Sequence, residues 1–76
     1  KMKIFIFEEV EELTDRYHPG GALVVIAENE TEARELIKTD QNIKLSKEEW
    51  EEVIIYNLKD ETVLSRMFIF PDAGCC

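Results

Sequence analysis

Asn29-Glu30-Thr31-Glu32-Ala33-Arg34-Glu35-Leu36-Ile37-Lys38 is the stretch that decides the fold. Asn29 offers a side-chain oxygen to the free N–H groups of a helix start, and Glu32, three residues on, can close a capping box with it. Glu30 and Glu32 complement the positive end of the helix dipole, and Lys38 sits in the last turn. Ala33, Leu36 and Ile37 fall at i, i+3 and i+4, a narrow apolar stripe suited to lying on a sheet. The spacing predicts one amphipathic helix of about three turns, ended by Thr39-Asp40-Gln41-Asn42.

Upstream, Ala22-Leu23-Val24-Val25-Ile26-Ala27 is a nearly continuous apolar run, as expected of a strand that lies centrally or is covered on both faces. Thr14 to Gly21 is polar and ends in Pro19-Gly20-Gly21, which breaks helix and strand alike and marks a loop. Met2-Lys3-Ile4-Phe5-Ile6-Phe7, bounded by Glu8-Glu9, is short, β-branched and aromatic, and reads as the first strand. Met2 is expected as the natural start, with Lys1 an added residue.

Downstream, Ser46-Lys47-Glu48-Glu49 repeats the capping pattern. It is expected to open only a single turn, because Val53-Ile54-Ile55-Tyr56 resumes β-type composition. Asn57 to Glu61 reads as a turn, and Thr62 to Phe70 as a last strand in a hairpin with the third. Pro71 stops it, leaving a tail over 71–76. The expected fold class is therefore α+β, a two-layer sandwich in the order ββαββ, with one helix packed on a four-stranded sheet by a right-handed crossover. All of 1–76 forms a single domain.

Net charge and composition bound the partners. Nine Lys plus Arg face 17 Asp plus Glu, a net charge of −8. A phosphate backbone is bound by a basic surface, so direct nucleic-acid binding is not expected. An anionic membrane is disfavoured for the same reason. No apolar run approaches the roughly 18–20 residues that span a bilayer, and no signal-peptide pattern is seen. A cytoplasmic protein without cofactor is the expectation.

One helix cannot cover both sides of four strands. Phe5 and Phe7 share a face of their strand, with Ile4 and Ile6 on the other; Phe68 and Phe70 share a face, with Met67 and Ile69 on the other. Both faces are thus apolar along two strands. The second must be covered by loops, a ligand or another copy of the chain, and a homo-oligomer with sheet contacts is expected. Trp50 and Tyr56 are expected in the core, with a protein interface as the alternative.

The ligand-binding candidates are Arg16, Tyr17, His18, Gly20 and Gly21, with Arg66. Arginine presents a planar fork for phosphate or carboxylate, tyrosine can stack on a base, and adjacent glycines let backbone N–H groups approach an anion. The competing reading is an exposed turn that merely reverses the chain. Arg66 shares the face of Phe68 and Phe70 and reads as a charge that guards an edge, as the partner of an acidic neighbour, or as a phosphate contact. Cys75-Cys76 lack C-x-x-C spacing and, with His18, fall short of four zinc ligands, so tail packing outweighs metal or redox chemistry. The doublets Glu8-Glu9, Glu11-Glu12, Glu48-Glu49 and Glu51-Glu52 read as a solvated acidic face. No nucleophile elbow, zinc helix motif or dinucleotide glycine pattern occurs, and the chain is not expected to be an enzyme.

The ending Phe70-Pro71-Asp72-Ala73-Gly74-Cys75-Cys76 resembles the ending of small uncharacterised proteins encoded by bacteria and their phages. Gly20-Gly21-Ala22-Leu23-Val24-Val25-Ile26-Ala27-Glu28-Asn29 is similar to the same set's glycine-led strand running into an acidic helix cap. The resemblance carries no catalytic signature. It implies a cytoplasmic accessory protein of phage type that binds host defence components or their signalling molecules. The leading expectation is a non-enzymatic binding protein that sequesters a small anionic, nucleotide-like ligand or inhibits a host protein. The alternative is an acidic protein–protein interaction module that mimics nucleic-acid charge.

Overall fold

A computed structural model describes residues 2–15, 20–59 and 65–71. Among the described residues four strands form one sheet in the order β3-β1-β2-β4, with every neighbouring pair antiparallel. β1 is Lys3–Val10 and β2 Gly21–Ala27. The chain then runs through α1 (Glu30–Lys38) and α2 (Lys47–Glu51) before β3 (Ile54–Asn57) and β4 (Arg66–Pro71). The α+β architecture is as expected; the element order is ββααββ, with a second helix.

Local chemistry explains both helices. In α1, the Asn29 side chain accepts from the Glu32 N–H at 2.9 Å. The Glu32 carboxylate reaches past the cap to the Glu28 N–H at 3.1 Å, so the expected capping box is not closed on Asn29. At Ser46 the box is complete: its hydroxyl accepts from the Glu49 N–H and the Glu49 carboxylate accepts from the Ser46 N–H. That reciprocal cap is the physical reason why five residues here make a helix. Among the described residues α2 buries nothing fully. Trp50 instead pins it by an edge-on contact with Phe7, ring centres 5.0 Å apart at 87°.

The helices lie on one side of the sheet. Phe5, Phe7, Val10, Leu13, Leu23, Val25, Ala27, Ala33, Ile37 and Ile43 form one buried cluster, with α1 lying against β2 and β4 and α2 against β1. Leu36, Trp50, Met67 and Ile69 pack around this core. Fully burying an aliphatic or aromatic side chain contributes about 1.5–3 kcal/mol, so Phe5, at 1% exposure, carries a large share of the stability.

Three expectations are corrected. β1 does not stop at Glu8-Glu9: a register shift between Phe7 and Val10 carries it on to pair Val10 with Gly21. The bulge leaves both glutamates in solvent while Val10 returns to the core. β3 and β4 form no hairpin, because they lie on opposite edges. β2 and β3 run parallel with β1 between them, so their connection must cross over: α1 and α2 carry the chain past β1 to its free edge, leaving the free edge of β2 to β4. Tyr56 is not in the core but 57% exposed, since its register partner Ile4 points away from the helices.

Candidate functional site

Two surfaces stand out, one on each layer. The first grows from the β1 bulge. Past Phe7 the strand turns Glu8 and Glu9 outward, and Glu11 follows. The N-terminus of α2 is fastened to the same place: Glu49 Oε1 accepts from the Ser46 N–H at 2.8 Å, and Oε2 accepts from the Glu11 N–H at 2.9 Å, 38 residues away in sequence. A Lys44 N–H to Glu12 carbonyl bond of 2.8 Å secures the approach to the helix.

The result is a groove of about 440 Å³ lined by Phe7, Glu8, Glu9, Glu49 and Glu52. An adjoining hollow of about 410 Å³ is lined by Glu9, Glu11, Ser46, Glu48, Glu49 and Glu52. Among the described residues no basic side chain lines either. Six of the eight carboxylates of the expected acidic face are thereby gathered; Glu12 and Glu51 are not in the lining. They are spread along the walls: among the described residues no group of three or more His, Cys, Asp or Glu is placed to hold a metal ion. What such walls can do is attract a distributed set of cationic groups.

The ligand-binding candidates fare differently. Arg16, Tyr17 and His18 lie outside the described residues, as do Cys75 and Cys76. Gly21 is the first residue of β2, paired with Val10 on one side and Pro71 on the other. A Cβ there would lie 2.3 Å from the Phe70 carbonyl oxygen, so packing against β4 requires this glycine whatever else it does. Gly20 and Gly21 border a cavity of about 410 Å³ whose other walls include Glu8, Glu9 and Glu11. Arg66 is not brought to them. It pairs with Ile26 while Gly21 pairs with Pro71, five residues and about 17 Å along the strand.

The second surface is the sheet face turned away from the helices. The registers align two full rows across all four strands: Tyr56, Ile4, Ile26, Arg66 and Ile54, Ile6, Val24, Phe68. Ala22 and Phe70 extend it on one side. Tyr56, Phe68 and Phe70 are 57, 37 and 55% exposed, and the central aliphatic residues are half-buried. Arg66 lies over the Phe68 ring at 4.8 Å, a cation–π contact. The alternation Ile54-Ile55-Tyr56 carried the signal that Tyr56 belongs here, but only the register tells which parity faces the helices.

Among the described residues no helix is long and apolar enough to cross a membrane. Comparison with protein-family models, with curated proteins and with solved structures finds no match.

Proposed function

We propose that the chain is a small non-enzymatic binding protein that docks a basic surface of a partner protein into the carboxylate groove between the end of β1 and α2. The observation that carries this reading is the convergence of Glu8, Glu9 and Glu11 with Glu48, Glu49 and Glu52 around one groove. Such a surface mimics the charge of a nucleic-acid backbone, so a host nuclease or regulator with a basic cleft is the kind of partner that fits. That role agrees with the cytoplasmic, phage-type accessory protein implied by the resemblance. Sequestration of a small anion by Arg16, Tyr17, His18, Gly20 and Gly21 is less favoured. The cavity beside the two glycines is walled by Glu8, Glu9 and Glu11, which repel an anion.

The test is binding of a labelled oligo-arginine peptide to the intact chain and to two triple variants. One, E8Q/E9Q/E52Q, neutralises the groove but spares Glu49, which is bound to backbone N–H groups. The other, D15N/E35Q/E51Q, removes equal charge elsewhere. The groove variant is expected to bind about tenfold more weakly, since each exposed pair contributes up to about 1 kcal/mol. Affinity should also fall steeply between about 50 and about 300 mM salt. Equal losses in the two variants would mean that net charge alone matters, and the groove would have no role.

A further inference from the structure

We infer that the open sheet face is a two-fold interface with a second copy of this chain, the two-fold axis running along the strands between β1 and β2. The face is poor in charge on a chain that is rich in it. Of the eight residues in the two full rows only Arg66 is charged, although 34% of the chain is. Among the described residues Arg66 has no acidic partner; its guanidinium rests on Phe68. The carboxylates of α1 and α2 lie on the other layer, so two bodies of net charge −8 can approach through these faces with the least repulsion.

The rows are self-complementary about that axis. Rotation places β4 of one copy against β3 of the other and exchanges β1 with β2. Ile4 then meets the partner's Ile26, and Ile6 the partner's Val24. Ile54 meets the partner's Phe68, and Arg66 meets the partner's Tyr56. The one charge in the two rows thus meets their one hydroxyl-bearing ring, twice by symmetry, in a cation–π pair. The sheet twist of about 30° between packed sheets shifts these edge contacts by about one residue, within the reach of an arginine and a tyrosine.

The area is sufficient. Aromatic side chains offer about 150–250 Å² each, so the exposed fractions of Tyr56, Phe68 and Phe70 amount to about 300 Å². With Arg66 and the half-buried aliphatic rows the face offers on the order of 600 Å² per copy, or about 1,200 Å² in a dimer, the lower bound of stable interfaces. A two-fold contact is also the commonest closed solution. This interface is on the layer opposite the acidic groove, so either can fail without the other.

Sedimentation equilibrium of the full chain from about 1 to about 200 µM tests it. The expected result is a mass approaching twice 8.9 kDa. Tyr56→Arg sets two cations against each other at both ends of the interface and should weaken the dimer at least about tenfold. Tyr56→Arg with Arg66→Glu should restore it, because each new arginine then meets the partner's carboxylate. Within one copy the two positions are on opposite edges of the sheet, and circular dichroism of all variants checks the fold. A monomeric mass throughout overturns the inference, including the case where the monomer instead sediments with phosphatidylcholine vesicles. A dimer indifferent to Tyr56→Arg, or not restored by the second change, overturns it as well.

Discussion

Gly21 and Glu32 show how single residues hold the fold together. At Gly21 the backbone has φ of +156°, and a Cβ would meet the Phe70 carbonyl oxygen at 2.3 Å and the Pro71 Cα at 2.9 Å. Both are backbone atoms, so relief requires opening the β2–β4 pair. Gly21→Ala is expected to destabilise by about 1–3 kcal/mol, whereas at Gly20 the closest contact would be 3.2 Å, to the Val10 carbonyl, and the cost smaller. The shift in urea midpoint measures both, and equal midpoints would contradict the argument. Glu32 ties α1 to the start of β4, where the Ser65 hydroxyl donates to its carboxylate. That bond first, and the Glu28 N–H second, hold its pKa below 4.5. A carboxyl depressed in the folded state contributes stability that is present above its unfolded pKa and is lost as pH falls through its folded one. The stability difference between the wild type and Glu32→Gln should therefore be constant near neutrality and close below about pH 4.5. Thermal melts from neutral pH into acid would reveal a pH-independent difference if the bond were absent.

At the scale of elements, α2 is the revealing case. Five residues are too few for a helix to stand by propensity, and this one depends on its cap and on two anchors. Glu49 accepts from both the Ser46 and Glu11 N–H groups, while Trp50 is held by the perpendicular Phe7 ring and the Arg34 guanidinium, 4.0 Å from the centre of its ring. Ser46→Ala should cost about 1 kcal/mol. Glu49→Ala should cost more, about 2 kcal/mol, since it removes a charged acceptor from two backbone donors. Equal effects of the two changes in chemical denaturation would show that the tie to β1 contributes nothing. Because the same tie forms one wall of the groove, Glu49→Ala should also weaken oligo-arginine binding beyond the loss of one charge.

For the whole molecule, the separation of charge and apolar surface onto opposite layers leads to opposite salt responses. The groove attracts cations through solvent, so its binding weakens as the Debye length shrinks from about 10 Å at 0.1 M to about 3 Å at 1 M. In the proposed dimer the sheet face would bring together two bodies of net charge −8, and screening their repulsion should tighten it over the same range. Peptide titration and sedimentation at matched salt compare the two directly. A dimer that loosens with salt would mean that charge, not the apolar rows, holds the copies together.

Local chemistry was legible in the residues themselves. The cap at Asn29, the stripe Ala33, Leu36, Ile37, the central strand Ala22 to Ala27 and the surplus of apolar sheet over helix all follow from side-chain type and spacing, which act over a few residues. The acidic doublets were legible as charge but not as a site, because the bond from Glu11 to Glu49 spans 38 positions. Strand order belongs to the tertiary structure as well. Both β3 and β4 suit either edge by composition, and only the path of the α1–α2 connection across β1 separates them. Tyr56 went with that choice. Alternation along a strand settles which residues share a face, but the face toward solvent is determined by where the helices pack, and that depends on contacts between elements far apart in the chain.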